Sequence, residues 1–309
     1  MNKQPFLVID NLKKEYGDIT AVDGVSFFIE EGESIGIVGE SGCGKSTLAR
    51  LITGLEKPTG GKVLLWGNPY HLKSKGREGC QINMVFQDPI DSFDPHMTVF
   101  SSLYEALSHT TKIRKKDAWS VIEDALQKVE LPSEYSRRRI SQLSGGECQR
   151  IGIARAVLTE PDLLICDEAT SALDVSVQAQ IIHLLQRLKK NNHYSYIFIS
   201  HDLALVSCMC SRVLVMYKGR LVEESSVKEI MTHPQHPYTK LLVSCGAAFT
   251  MGPCEKIRTL PKIAVQEGEG DMACGFYPFC RQHMEVCKNK VPVYKEFDDG
   301  HKVACHLFQ

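Results

Sequence analysis

The sequence has no long apolar run and almost no net charge, and both absences exclude classes of protein. No segment reaches the roughly 18 apolar residues of a membrane-spanning helix. The longest candidate, residues 241–252, is too short and contains Ser244 and Thr250. No apolar run of the signal-peptide kind follows residues 1–5, so we expect a cytoplasmic protein. A net charge of −1 provides no general attraction to nucleic acid, so no nucleic-acid partner is expected.

The composition is that of a globular protein with a proper core. Apolar residues make up 43% and charged residues 24% of the 309 positions, which suits one large domain with a small appendage or two domains. Twelve cysteines in a cytoplasmic chain are not expected to form disulfides. The cysteines are unevenly distributed, and four of them lie close to the C-terminus: Cys274, Cys280, Cys287 and Cys305.

One stretch matches the phosphate-binding loop pattern G-x-x-x-x-G-K-[ST] at every fixed position. It follows an apolar strand pattern at residues 34–38 and opens a helical pattern that includes Leu48, so an ordinary glycine turn is the weaker alternative. In such a loop the backbone N–H groups bind phosphate. Lys45 is expected on the β- and γ-phosphates and Ser46 on Mg²⁺. The predicted nucleotide cradle consists of Gly39, Glu40, Ser41, Gly42, Cys43, Gly44, Lys45, Ser46 and Thr47.

Polar side chains follow three further apolar strand patterns: Gln87, the pair Asp167 and Glu168, and His201. Downstream of a phosphate loop, the acid pair suits Mg²⁺ held through its water shell by Asp167 and a water polarised by Glu168. An exposed turn is the alternative for such a pair. An isolated histidine is more often structural, but His201 at a strand end suits a sensor of the γ-phosphate.

The pattern turns helical from about residue 99 to residue 157, between two halves of a predicted sheet. Residues 118–129 follow the i, i+3, i+4, i+7 spacing of an amphipathic helix. The segment also contains two glycines directly before a second helical run, within Ser144, Gly145, Gly146 and Glu147. Free N–H groups at a helix start bind anions, so one chain carries two candidate phosphate sites.

Together these motifs resemble the ATP-binding cassette (ABC) transporter ATPases over residues 6–245. The resemblance implies an α/β P-loop NTPase fold with a RecA-like core, an antiparallel β part and a helical subdomain at about residues 91–157. The cassette domain would span residues 1–245, and residues 246–309 would form a small cysteine-rich extension. The second glycine motif, residues 143–147, looks like the signature motif of this family.

The resemblance also implies roles for individual residues. Tyr16 would stack on adenine, Asp174 would belong to the D-loop, and His201 would be the switch histidine. Gln87 would couple the nucleotide to a membrane subunit. The implied catalytic set is Glu168, His201, Gln87 and Lys45, and the implied Mg²⁺ set is Ser46, Gln87 and Asp167. In this family two ATPases dimerise head to tail, so that the signature of one closes over the ATP of the other.

Two finer segments, residues 169–180 and 233–239, look like the ATPases of oligopeptide, dipeptide and nickel importers. The implied function is an ATP-hydrolysing subunit that powers import of di- or oligopeptides through a membrane permease. Nickel or a metal chelate is the alternative cargo. A DNA-repair ABC ATPase is a remote alternative, because the insertion at residues 88–143 is too short for the long heptad arms of the chromosome-maintenance type. Cargo would be chosen by proteins encoded elsewhere.

The resemblance implies partners as well. They are a second ATPase subunit, identical or a sister chain, with two transmembrane permease subunits and an extracytoplasmic substrate-binding protein. The ATPase would lie peripherally on the cytoplasmic face of the cell membrane.

The four C-terminal cysteines are similar to the pattern of the peptide-importer members, some of which hold a 4Fe-4S cluster there. Four thiolates suit either such a cluster or a tetrahedral zinc ion. Gaps of five, six and seventeen residues do not resemble the close pairs typical of structural zinc, so we expect a cluster. Zinc and free cysteines remain the alternatives. Two departures from the family are Glu147-Cys148, in place of the commoner Gln-Arg of the signature, and Arg281, where proline usually follows the second cysteine; the second weakens the tail comparison.

Overall fold

Two sheets, one antiparallel and one largely parallel, organise the computed structural model of this chain. The structure describes residues 5–70, 82–170, 173–191, 194–251, 273–298 and 300–309, with the backbone alone for 246–251. Within these ranges the strands are β1 (Leu7–Tyr16), β2 (Ile19–Ile29), β3 (Ser34–Val38), β4 (Gly60–Leu65), β5 (Asn68–Pro69), β6 (Ile82–Val85), β7 (Leu163–Asp167), β8 (Ser195–Ser200), β9 (Arg212–Tyr217), β10 (Arg220–Ser226), β11 (Lys295–Glu296) and β12 (Lys302–Val303).

The helices of the described ranges lie mostly on one side of the larger sheet. They are α1 (Lys45–Ile52), α2 (Val99–Thr110), α3 (Ala118–Lys128), α4 (Gly145–Val157), α5 (Val175–Asn191), α6 (Leu203–Met209), α7 (Val227–Thr232), α8 (Pro237–Met251) and α9 (Val286–Asn289). No helix in the described part of the chain is long and apolar enough to cross a bilayer.

The antiparallel sheet has the strand order β2-β1-β4-β5. Strands β1 and β2 both continue through the polar stretch at residues 11–20 and meet there in a hairpin. Single apolar residues keep the extension in the core: Leu12 and Val22 are completely buried while their neighbours face outwards. A strand with one solvated face needs an apolar residue only at every second position. Bulges in the pairing of β1 with β2 interrupt this alternation of apolar and polar residues.

The larger sheet has the order β11-β12-β10-β9-β3-β8-β7-β6. Strand β3 is parallel to β8 and β9, and β7 is parallel to β6 and β8. The carboxyl ends of β3, β8, β7 and β6 therefore meet along one edge, in that spatial order. In open α/β sheets this edge is where ligands bind.

The central strands of this sheet are buried on both faces, and every residue of β3, β7 and β8 is buried. Ile35 and Ile37 belong to one apolar cluster with the antiparallel sheet and α1. Val38 belongs to a second cluster with the helices that follow. Successive side chains of a strand point to opposite faces, so the sheet forms the middle layer between these two clusters.

The helical segment predicted from about residue 99 is present as α2, α3 and α4. Two of these helices have side-chain caps at their start. Thr98 accepts a hydrogen bond from the N–H of Ser101, and Ser144 forms a capping box with Glu147. The second cap places the exposed glycine motif at the start of α4.

Residues 273–298 and 300–309 pack against the larger sheet. Strand β12 pairs with β10, and β11 pairs with β12 and forms the edge of the sheet. The completely buried Val303 lies on β12, and the buried Phe276 and Cys280 join the apolar cluster on the helical side.

Candidate nucleotide site

The predicted phosphate loop joins β3 to α1, as its sequence requires. Two of its glycines leave no room for a side chain. A Cβ on Gly44, where φ is +105°, would lie 2.1 Å from the carbonyl oxygen of Ala21, and a Cβ on Gly39 would lie 2.2 Å from that of Met216. Real Cβ atoms do not approach backbone oxygens so closely. The loop can therefore follow this tight path only with glycine at both positions.

Lys45 is buried at the start of α1, with only 3% of its side chain exposed. Its Nζ donates hydrogen bonds to the carbonyl oxygens of Gly39 at 2.9 Å and Glu40 at 2.8 Å. The loop backbone therefore bends around the ammonium group. Oε1 of Glu168 lies 3.9 Å from Lys45 Nζ. A cation that is fixed in this way can bind phosphate oxygens with little loss of side-chain entropy.

Ser46 and Asp167 meet although they lie on different elements, α1 and β7. The Ser46 hydroxyl donates to Oδ1 of Asp167 at 3.1 Å. Burial raises the pKa of Asp167, and the Ser46 hydrogen bond partly opposes this shift. Both residues line an open pocket of about 710 Å³ together with the exposed Gln87. A hydroxyl, a carboxylate and an amide oxygen are suitable ligands for Mg²⁺, which protein sites hold with one or two carboxylates plus phosphates.

Glu168 follows β7 in a left-handed backbone conformation, with φ of +45°. Its N–H donates to the carbonyl oxygen of Ile199 at 3.0 Å, which ties the turn to the neighbouring strand β8. Its Oε1 lies 3.9 Å from Lys45 Nζ and 3.9 Å from Nδ1 of His201. The His201 side chain is 62% exposed. The Glu168 carboxylate thus lies between the buried Lys45 and an accessible histidine.

Tyr16 lies at the end of β1 with 44% of its surface exposed. Its hydroxyl donates to Glu56 and interacts with Thr47, the last residue of the predicted loop. The hydrogen bond to the Glu56 carboxylate raises the pKa of Tyr16. Lys14 Nζ lies 4.8 Å from the ring centroid. An exposed aromatic ring is therefore held beside the phosphate loop.

The signature-like motif is well formed but lies apart from this pocket. Oε2 of Glu147 accepts hydrogen bonds from the N–H of Ser144 at 2.8 Å and from its hydroxyl at 2.9 Å. The hydroxyl of Tyr135 donates to Oε1 of Glu147 at 2.5 Å and lowers the pKa of this carboxyl. Ser144 and Gly145 are exposed, and no residue of the motif lines the pocket around Ser46. The structure leaves the signature facing outwards, and Asp174 is exposed with its side chain hydrogen-bonded to Ser176 and to the N–H of Val177.

Two residues at the site were missed by the sequence reasoning. Arg155 of α4 lines the pocket with Gln87 and donates to the carbonyl oxygen of Ser92 at 2.8 Å. Tyr238 of α8 reaches the phosphate loop, where the N–H of Glu40 donates to its hydroxyl at 2.8 Å. For Tyr238, the only sequence feature that could have indicated a role at the site was its place in the segment 233–239. For Arg155, the only such feature was a positive charge within a largely buried helix.

The four C-terminal cysteines line one small cavity, together with Phe276. They are free thiols, and the N–H of Cys274 donates to the carbonyl oxygen of Cys287 at 2.9 Å. Burial raises the pKa of Cys274 and Cys280, and raises that of Cys305 to about 11. Across the described ranges, no group of three or more His, Cys, Asp or Glu side chains is placed to hold a metal ion.

Two protein-family models match this chain. The model described as ABC transporter matches residues 22–171, which include the phosphate loop, the signature-like motif and Glu168. The model described as oligopeptide/dipeptide transporter, C-terminal region, matches residues 222–287, which include Tyr238 and three of the four cysteines.

Several curated proteins are similar to this chain over nearly its whole length. It is 39% identical to the oligopeptide transport ATP-binding protein AppF of Bacillus subtilis, over 96% of this chain and 92% of that protein. It is 42% identical to the oligopeptide transport ATP-binding protein OppF of Salmonella typhimurium, over 93% and 87%. The dipeptide transport ATP-binding protein DppF of Haemophilus influenzae is 38% identical, over 93% and 89%.

Solved structures with the same fold are also found. The cbiO1 protein of Clostridium perfringens, part of the ABC transporter complex cbiONQ, has a TM-score of 0.65 and 28% identity over 75% of this chain and 92% of that one. An ATP-binding cassette solved as a dimer in a post-hydrolysis state with ADP and Pi has a TM-score of 0.63 and 27% identity, over 72% and 98%. The predicted α/β cassette fold is confirmed.

Proposed function

The chain belongs to the family of ABC transporter ATP-binding proteins, and we propose from this that it is the ATP-hydrolysing subunit of a di- or oligopeptide importer. The observation that carries the proposal is the row of side chains at the carboxyl edge of the larger sheet. Lys45, His201, Glu168 and Gln87 follow four strands that are neighbours in that sheet. The arrangement suits phosphoryl transfer to water.

In this proposal each residue has one task. Lys45 and the loop N–H groups bind the β- and γ-phosphates, and Tyr16 stacks on adenine. Ser46, Asp167 and Gln87 hold Mg²⁺, which neutralises charge on the phosphates when bound. Glu168 orients and deprotonates the attacking water, since its carboxylate faces the site 3.9 Å from Lys45. His201, at the same distance from Glu168, senses the γ-phosphate.

The outward-facing signature supports a head-to-tail pair of ATPases. Ser144, Gly145 and Gly146 present the start of α4 to solvent, where it can donate to the phosphate held by a second chain. A related cassette has been solved as a dimer. The second chain is identical or a sister ATPase.

Peptide cargo is favoured over nickel or a metal chelate, because the relatives reported above are named for oligopeptide or dipeptide transport. The C-terminal model bears the same description. The proposed partners are two transmembrane permease subunits and an extracytoplasmic substrate-binding protein, with this chain peripheral on the cytoplasmic face of the membrane. The proposed domain division is residues 1–245 and 246–309.

Reconstitution tests this function. The chain is co-expressed with permease and binding-protein subunits of the peptide-importer type from the same genome, and the purified complex is placed in liposomes. We expect ATP hydrolysis to rise on addition of the loaded binding protein and a labelled peptide to enter the liposomes. Stimulation by nickel and not by any peptide would contradict the proposal that the cargo is a peptide. Stimulation by DNA with no membrane partner would overturn the transport function.

We also propose that the four C-terminal thiols ligate a 4Fe-4S cluster. The donors suit it in kind and number, and all four line one cavity. Zinc is the weaker fit, because gaps of five, six and seventeen residues do not resemble the close cysteine pairs of structural zinc sites. When bound, the cluster would tie residues 273–309 together.

Metal analysis of protein purified without oxygen tests the cluster. We expect iron and acid-labile sulfide in near-equal amounts in the wild type and in Cys208→Ser, which changes an exposed cysteine elsewhere. Cys280→Ser should lose both. Stoichiometric zinc would contradict the proposal of a 4Fe-4S cluster. Absence of any metal after iron-replete expression would contradict the proposal that these cysteines form a metal site.

A further inference from the structure

The hydroxyl of Tyr238 touches the phosphate loop from its outer side. Tyr238 lies near the start of α8 and is only 5% exposed. The N–H of Glu40 donates to its hydroxyl at 2.8 Å, a good length for such a bond. A second hydrogen bond to the loop from a distant segment joins the N–H of Gly219 to the carbonyl oxygen of Cys43 at 2.9 Å. The loop is therefore supported from the C-terminal half of the chain as well as by its own glycines.

The peptide unit that Tyr238 holds is the one that binds the catalytic lysine. The carbonyl oxygen of Gly39 and the N–H of Glu40 belong to the same planar peptide. That carbonyl accepts from Lys45 Nζ at 2.9 Å while the N–H donates to Tyr238. Rotation of this peptide would break both hydrogen bonds together, so Tyr238 restrains the orientation that Lys45 depends on.

The Tyr238 ring is itself held by the C-terminal region. Its centroid lies 4.5 Å from that of Tyr217 and 5.6 Å from that of Phe276. Phe276 is 5% exposed and lines the cysteine cavity, between Cys274 and Cys280 in sequence. Contacts thus run without a gap from the cysteine cavity through Phe276 and Tyr238 to the Glu40 peptide.

We propose that Tyr238 is a positioning residue for the phosphate loop, and that Phe276 transmits to it the packing of the cysteine-lined cavity. The inference rests on the proposed binding of ATP at this loop. The expected effect is on nucleotide affinity, because the restrained peptide anchors a ground-state phosphate ligand. The proposal thus gives the segment 233–239, which contains Tyr238, a direct contact with the phosphate loop.

The first experiment removes one hydroxyl. Binding of the non-hydrolysable analogue AMP-PNP with Mg²⁺ is measured by calorimetry for the wild type, Tyr238→Phe and Tyr217→Phe. The control removes a hydroxyl from the same aromatic group, at a ring that makes no described hydrogen bond to the loop. We expect Tyr238→Phe to bind about fivefold more weakly, as loss of one hydrogen bond allows, and Tyr217→Phe to bind as the wild type does.

Melting temperatures without nucleotide separate positioning from a merely structural role. If both variants lose similar stability while their affinities equal that of the wild type, Tyr238 is only a packing residue and the inference fails. If the wild type itself does not bind the analogue, the proposed function fails instead. Weaker binding by Tyr238→Phe alone supports the positioning role.

A double-mutant cycle tests the link to Phe276. Phe276→Leu keeps an apolar side chain but removes the ring that packs on Tyr238. We expect this change to weaken binding of the analogue about threefold in the wild type and not at all in Tyr238→Phe, because coupled residues are not additive. Equal effects in both backgrounds, or none in either, would show that Phe276 does not act through the Tyr238 hydroxyl.

Discussion

At the residue scale, the proposed hydrolysis depends most on the carboxylate of Glu168. A left-handed backbone conformation at this position turns the chain directly after β7, and a hydrogen bond to Ile199 holds the turn. The side chain is 13% exposed and lies 3.9 Å from both Lys45 and His201. A strained conformation at a ligand site suggests that geometry is maintained for function.

We predict that Glu168→Gln keeps ATP binding and reduces turnover by at least about a hundredfold, because the amide has the same shape but cannot take a proton. Single-turnover hydrolysis and nucleotide binding measure the two effects separately. Turnover within about threefold of the wild type would remove Glu168 from the role of base.

Lys45→Ala is the contrasting variant. Its ammonium group contacts phosphates in the ground state, so we expect affinity for ATP to fall along with turnover. The change also removes the hydrogen bonds to Gly39 and Glu40, which adds to the loss. Unaltered affinity in Lys45→Ala would contradict the assignment of the loop.

At the element scale, the start of α4 is the most informative feature. Its capping box satisfies backbone donors that would otherwise lack partners, while Ser144 and Gly145 remain exposed. Tyr135 and the Ser144 N–H lower the pKa of the Glu147 carboxyl. A lowered folded pKa means that this stabilisation is present above the usual pKa of glutamate and is lost as the pH falls through the lowered value.

We therefore predict that Glu147→Ala lowers the free energy of unfolding by about 1 kcal/mol at pH 7, as loss of a cap does. The difference from the wild type should shrink as the pH approaches 4. Glu147→Gln, whose amide oxygen can still accept from Ser144, should lose less. Urea denaturation at several pH values measures all three proteins. Equal stability of Glu147→Ala and the wild type at pH 7 would show that the cap contributes nothing.

At the scale of the whole molecule, the chain carries two halves of different sites. The pocket around Ser46 and Asp167 is lined without any signature residue, and the signature faces solvent. The two motifs are built on separate elements of one packed chain, as the proposed head-to-tail pair of ATPases requires.

We predict that the purified chain alone is a weak, largely monomeric ATPase. Without donors from a second signature, charge on the γ-phosphate is stabilised less, so the monomer should turn over at least about tenfold more slowly than the assembled transporter. Light scattering and ATPase rates over a dilution series test this. A demonstrated monomer that matches the assembled transporter would rule out the proposed sandwich.

The sequence by itself determined the phosphate loop, the strand-end acids and the helical segment that begins at about residue 99. These follow from local rules: glycine where a backbone must turn tightly, apolar runs where a strand is buried on both faces, and polar residues where it ends. The glycine pattern of the loop is local, but the backbone oxygens of Ala21 and Met216 that leave no room for a side chain at Gly44 and Gly39 come from distant segments. The roles of the loop and the acids in ATP hydrolysis stay predictions.

Only the tertiary structure decided which distant segments meet. The order of strands in the larger sheet brings residue 168 beside residue 201, and β12 returns from the C-terminus to join the sheet edge. Tyr238 meets Glu40 across 198 positions of sequence. Such contacts depend on the register and layering of the whole core, and no local pattern records them, because a side chain's own neighbours in sequence do not specify what packs against it.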